Sequence, residues 1–216
     1  MLIGGADEAG RGCVLGPLVI CVAIVEKEKE GELRRVGVKD SKLLTPKRRE
    51  KLVGKIKKIC KEIAVVKITA SSLNELMKKH SLNEIEAMEM GKLFSSLKHQ
   101  PELIYVDSPD SVEGMFHARL KKYYKGNAEL ICEHKADFNY PVVSAASVIA
   151  KVERDTVIEQ IKKEFSCDFG SGYTSDERTI EFLKNNFHRQ QLHKYVRKEW
   201  ETVERMKQRK LSDFDE

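Results

Sequence analysis

The chain has 216 residues, 41% hydrophobic and 34% charged, with 39 Lys and Arg against 34 Asp and Glu for a net charge of +5. A chain of that length buries about 70% of its unfolded surface, which excludes dependence on a disulfide framework, and the apolar content excludes disorder. The longest apolar run, 14-VLGPLVICVAIV-25, contains Gly and Pro and is too short to span a bilayer, so no membrane partner is expected.

In chain order, 2-LIGGA-6 and 17-PLVICVAIV-25 predict two strands. The Gly-rich turn 9-AGRGCVLG-16 joins them as an antiparallel pair. Thr45 as cap and Pro46 in the first turn open a helix over 46–61. A third strand, 63-IAVVKIT-69, is followed by helices over 71–79 and 82–98. The second of these is capped by Ser81 and keeps Leu82, Ile85, Phe94 and Leu97 in helical period. The strand 103-LIYV-106 leads to a helix over 111–124, and 128-AELICEH-134 is the fifth strand. Helices over 141–165, 176–187 and 193–209 complete the pattern. Strands first and β-α units after them predict an α/β fold with a mixed, five-stranded sheet flanked by helices. From about His188 the chain turns basic and helical. The expected organisation is therefore a catalytic domain over 1–187, a basic C-terminal helical extension over 188–207 and a mobile tail, 208-QRKLSDFDE-216.

Charge is unevenly spread. Residues 27–67 hold 15 basic and 6 acidic side chains, a net +9, and residues 189–210 hold 8 and 3, a net +5. Two basic segments around a mildly acidic middle suit a polyanion partner, or equally solvated helix faces with ordinary ion pairs. Five cysteines, an odd number with no CxxC pair, argue against a zinc ribbon or disulfide scaffold and fit buried thiols in a reducing cytoplasm. Six histidines form no HxxxH or HExxH pair, which disfavours a zinc hydrolase. No signal for secretion precedes Asp7, so the expected location is cytoplasmic.

Acids stand at or past the ends of three predicted strands. Asp7 and Glu8 sit where the first strand meets the Gly-rich turn, Asp107 ends 103-LIYV-106, and Asp137 opens the long helix after 128-AELICEH-134. Strand ends border the crevice where α/β proteins build sites. Like charges within about 4–6 Å raise one another's pKa, and Mg²⁺ or Mn²⁺ would relieve that strain through oxygen ligands. Taken singly, Asp107 reads as well as a turn former and Asp137 as a helix cap. The adjacent pair Asp7-Glu8, in an otherwise apolar and glycine-rich segment, is harder to read as local structure. Ser144 and Ser147 lack a nearby histidine base, and small residues on that helix read as close packing against a sheet.

The segment 7-DEAGRG-12 is similar to the signature of the type 2 ribonucleases H, and the chain resembles an archaeal ribonuclease HII. The blocks 14-VLGPLV-19, 38-VKDSKLLTPKRRE-50, 104-IYVDSPD-110, 133-EHKADFNYPVVSAASVIAKVERD-155 and 169-FGSGYTSD-176 resemble the family's in order. Departures are Cys13, where Pro or another residue is commoner, and Thr174 and Glu177 in a loop usually written GSGYPSDP. The resemblance implies a ribonuclease H-like fold. It implies an endonuclease that hydrolyses the RNA strand of RNA:DNA hybrids and incises 5′ of single ribonucleotides in duplex DNA, leaving 3′-OH and 5′-phosphate ends.

It implies further that Asp7, Glu8, Asp107 and Asp137 bind two Mg²⁺ or Mn²⁺ ions as the catalytic carboxylates. Gly10, Arg11 and Gly12 would contact the ribose 2′-OH, the group that tells RNA from DNA. Tyr173 would stack on the next sugar, a deoxyribose, and Lys42 would lie near the phosphates. A type 3 relative would carry an extra N-terminal domain and a Lys in the turn, where this chain has Arg11. A catalytically silent nucleic-acid-binding module would bind without metal-dependent cleavage. In the tail, Gln208, Leu211 and Phe214 resemble the Q-x-x-L-x-x-F peptide by which replication proteins dock on a sliding clamp. The protein is expected to be a monomer.

Overall fold

The computed structural model describes residues 1–39, 45–110, 112 and 114–212, with the backbone alone at 46 and 207–212. Five strands form one sheet in the order β3-β2-β1-β4-β5: β1 Leu2–Ala9, β2 Leu18–Glu26, β3 Glu62–Ile68, β4 Leu103–Asp107 and β5 Glu129–Glu133. β1 is antiparallel to β2 and parallel to β4, and β4 is parallel to β5. The expected mixed five-stranded sheet is therefore present. From Leu18 to Val25 every residue of β2 is buried, as an unbroken apolar run demands when both faces are covered.

The helices are α1 Glu30–Arg35, α2 Pro46–Ile59, α3 Ala70–Met77, α4 Leu82–Ser95, α5 Met115–Tyr123, α6 Ala136–Asn139, α7 Pro141–Phe165, α8 Glu177–Asn186 and α9 Glu201–Ser212. Three start on hydroxyl caps. Thr45 accepts from the Arg48 amide, Thr69 from Ser72 and Ser81 from Glu84, each satisfying an amide with no partner inside the helix. Among the described residues no helix is long and apolar enough to cross a membrane.

By contact density the chain forms two compact units. One comprises Met1–Ala9, Val19–Val66 and Ser81–Glu153; the other comprises Gly10–Leu18, Lys67–His80 and the chain from Arg154 on. In the first, β1 lies directly on the start of α7. A Cβ on Gly5 would stand 2.4 Å from the carbonyl carbon of Val142, so only glycine admits this approach. Ala145 and Ala146 are buried in the same core. In the second unit, Val14, Leu15, Ile158, Phe169, Phe182 and Val196 pack into a core of their own.

Four expectations change. β1 runs to Ala9, so Asp7 and Glu8 lie inside a strand and not at its junction with the turn. Asp137 does not open the long helix. It sits in the separate turn α6, because Tyr140 is extended and Pro141 starts α7. The helix expected over 193–209 is broken into a 3₁₀ turn, Gln190–Lys194, and α9. Val196 bridges Leu15, and the Arg197 amide bonds the Val14 carbonyl, which takes the backbone out of helical geometry. Finally, residues 208–212 of the expected tail continue α9, while 213–216 lie outside the described residues.

Candidate active site

The first unit brings acids together at one end of β1 and β4. Ala6 pairs with Val106 in the parallel register, so the next residues, Asp7 and Asp107, stand side by side on neighbouring strands. Asp107 in turn pairs with Glu133 on β5. Asp7 is 5% exposed. Its carboxyl is held well above the usual range, first by burial and then by the charges of Glu8 and Asp107, against the lowering effect of a hydrogen bond with Ser147. Asp7 Oδ1 accepts the Glu8 amide at 2.7 Å. Asp107 Oδ1 accepts the Ala136 amide at 2.7 Å, one residue before Asp137.

α6 is held from several sides. Lys135 precedes it in the left-handed region at φ 57°, which is uncommon for a non-glycine residue and is a form of strain that gathers at functional sites. The Ser144 hydroxyl donates to the Asp137 carbonyl. The Tyr140 hydroxyl donates to Glu133 at 2.9 Å, and its ring stacks on Tyr105 with centroids 3.8 Å apart.

Carboxylate oxygens are the donors that hard divalent cations prefer. A nearly buried Asp7 between two like charges is what a cation would offset, so the donor chemistry fits Mg²⁺ or Mn²⁺. Among the described residues no three His, Cys, Asp or Glu side chains lie close enough to hold an ion as they stand.

The second unit holds the other singled-out residues. Gly10 turns the chain at φ 87°, and a Cβ there would meet the Pro17 carbonyl at 2.7 Å. Gly12 is exposed and lies by the Tyr173 ring, 3.8 Å from a Cβ it would carry. Cys13 and Tyr173 form an isolated antiparallel bridge, and the amides of Val14 and Leu15 both donate to the Gly172 carbonyl. The turn 10–12 and Tyr173 are thus brought together. Arg11 offers its carbonyl to Arg197 Nη1 at 2.9 Å. Lys42 and Phe214 lie outside the described residues, as do the side chains of Gln208 and Leu211, whose backbone is in α9.

The charge pattern left the basic segment 189–210 open between a polyanion partner and solvated faces with ordinary ion pairs, and two of its residues are engaged within the protein. Arg197 is fully buried, with Nε on the Gly16 carbonyl at 3.1 Å. Lys194 pairs with Glu164 at 2.9 Å. Three further residues touch the singled-out ones: Ser147, which the sequence suggested only as a packing residue, and Glu133 and Arg154, to which it gave no role. Ser147 meets Asp7 from α7, Glu133 holds the residues after Asp137, and buried Arg154 meets the loops of Gly10 and Tyr173. Ser144 and Ser147, three apart on one helix face, were the available signal.

The family model described as Ribonuclease HII matches residues 4–203. A Ribonuclease HII of Archaeoglobus fulgidus is 45% identical over 210 residues, covering 97% of this chain and 98% of its own. The crystal structure of the ribonuclease H2 from Pyrococcus horikoshii is similar at a TM-score of 0.90 and 44% identity, over 97% of this chain and 98% of that one. The Archaeoglobus fulgidus chain in a structure described as a PCNA:RNase HII complex is similar at 0.84 and 43% identity, over 93% and 96%. A Bst-RNase HIII in complex with Mn²⁺ shares the fold at 0.79, with 20% identity over 96% of this chain and 70% of that one.

Proposed function

The chain belongs to the ribonuclease HII family, a group of metal-dependent ribonucleases H acting on RNA:DNA hybrids, and we propose that it also incises duplex DNA on the 5′ side of single embedded ribonucleotides. The products are 3′-OH and 5′-phosphate ends, and the cellular roles are ribonucleotide removal from DNA and RNA primer removal in the cytoplasm. The observation that carries the reading is the pair Asp7 and Asp107, side by side on parallel strands with Glu8 adjacent and with Asp7 almost wholly buried.

Asp7, Glu8, Asp107 and Asp137 are the residues that would hold two divalent cations. When bound, Mg²⁺ or Mn²⁺ supplies an activated water and charge neutralisation at the scissile phosphate. Ser147 orients Asp7, and the Ala136 amide orients Asp107. Gly10, Arg11 and Gly12 read the 2′-OH, and Tyr173 packs on the following deoxyribose, where an added hydroxyl would clash. Lys42 lies near the phosphates. Grip through phosphates and shape, not base edges, makes cleavage indifferent to sequence.

The tail residues Gln208, Leu211 and Phe214 dock on a sliding clamp. Support comes from their spacing and from the Archaeoglobus fulgidus relative whose structure is a complex with PCNA. The enzyme acts as a monomer.

The test is a duplex with one embedded ribonucleotide, incubated with Mg²⁺, with Mn²⁺ and with a chelator. The expected result is metal-dependent incision 5′ of the ribonucleotide, with ends that a ligase and a phosphatase identify. Binding without incision in either metal would leave a silent nucleic-acid-binding module.

A further inference from the structure

Arg154 is 1% exposed, and the contacts of its head group fall on the two recognition loops and on its own neighbour. Nη2 donates to Cys13 Sγ at 2.9 Å and to the Ser171 carbonyl. Nη1 donates to Asp155 Oδ1 at 3.1 Å. The guanidinium carbon stands 4.8 Å from the centroid of the Tyr173 ring. Gly10 and Gly172 leave the room this requires. Their Cβ atoms would stand 3.4 Å from Arg154 Cγ and 2.9 Å from Nη2, and both residues have positive φ.

A buried arginine is poor evidence of stabilisation, because desolvation offsets its attraction to Asp155. Here Nε also finds no acceptor among the described residues. What a planar fork does well is fix several partners at once, stacking on a ring while its edge donates in set directions. A lysine keeps the charge and cannot do both.

We propose that Arg154 is a positioning residue for sugar recognition, locking the Tyr173 ring against the turn that begins at Gly10. The proposal rests on the sugar-reading role given to that turn and to Tyr173. It adds that the two elements are set as one body by a side chain that itself touches no substrate. The Tyr173 hydroxyl, pushed up to about 12 by burial and hydrogen-bonded to Cys13, shows the same closed arrangement from the other side.

The experiment compares kcat/KM on a duplex with one embedded ribonucleotide and on a long RNA:DNA hybrid, for the full chain, R154K, Y173A and the double variant. R154K should lower the embedded-to-hybrid ratio by about tenfold, since a displacement near 1 Å at a recognition element is felt strongly in rate. The double variant should be no worse than Y173A alone, as expected for two residues acting through one contact. Equal losses on both substrates, or losses that multiply in the double variant, would overturn the proposal. If Y173A itself leaves the ratio unmoved, the sugar-reading role fails, and this proposal falls with it. Should R154K not fold, D155A removes the acceptor of Nη1 while leaving Arg154, Cys13 and Tyr173 in place. A lowered ratio in D155A then supports the lock, and an unchanged ratio overturns it.

Discussion

Asp107 accepts the amide of Ala136 at 2.7 Å, so the acid that ends β4 is tied to the short helix that carries Asp137. The bond spans 29 residues of chain and fixes α6 against the strand end. Lys135 holds its left-handed conformation immediately before that amide. Two acids that the sequence separates widely are thereby referred to one backbone point.

Asp107→Asn isolates charge from shape, because the asparagine oxygen can accept the same amide. Cleavage should fall on the order of 10²-fold or more, with hybrid binding kept, as for loss of a group that acts on charge in the transition state. Steady-state cleavage beside fluorescence anisotropy measures both. Retention of a tenth of the activity would remove Asp107 from the reaction centre.

Asp176 sets an acid limit on the Tyr173 loop. It accepts the Ser171 amide at 2.8 Å and caps α8. The Arg178 guanidinium, followed by that amide, holds its carboxyl well below the usual range. A carboxylate lowered on folding contributes stability that is complete above the unfolded value of about 4 and is lost as pH falls through the folded value. Protection of the Ser171 amide, its exchange rate set against that of an unstructured amide at the same pH, should therefore fall as pH drops below about 4. Asp176→Ala should cost about 1 kcal/mol at neutral pH through the lost cap and flatten that acid dependence. An acid limb identical in both proteins would assign the titration elsewhere.

The grip on nucleic acid should come from α2 more than from the segment around Arg197. Leu52, Val53 and Ile56 of α2 are buried, while Lys51, Lys55 and Lys58 are exposed. Replacing Lys51 and Lys55 by Gln should make the dependence of log binding on log salt shallower by about two, one for each phosphate contact. The cleavage position should not move. An unchanged salt slope would mean that α2 faces away from the duplex.

Deleting residues 208–216 should abolish binding to the cognate clamp, read by calorimetric titration, with cleavage of free hybrid retained. Equal binding by the truncated chain would show the Q-x-x-L-x-x-F spacing to be coincidence.

The sheet was legible because its signals are local. An unbroken apolar run gave β2, and 103-LIYV-106 with an acid behind it gave β4 and Asp107. Thr45-Pro46 and Ser81 announced their helices for the same reason. What escaped depends on contacts between distant residues. Ser147 matters through Asp7, 140 residues earlier in the chain. Arg154 and Arg197 count as surface charge in any composition, and only the carbonyls they meet reveal them as internal braces. The break between the Gln190–Lys194 turn and α9 comes from Val196 and Arg197 engaging Leu15 and Val14, which no helical period near residue 200 could announce. α1 has a single buried apolar residue, Leu33, and hence no periodic pattern to read.

Segments of the two units alternate along the chain, which passes from one to the other after Ala9, Leu18, Val66, His80 and Glu153. Neither unit can be obtained as a contiguous fragment, and a single proteolytic cut releases neither. During synthesis the first unit lacks its last segment until Glu153 has emerged from the ribosome. The apolar run Leu18–Val25 therefore leaves the ribosome well before the last segment of the core that covers it.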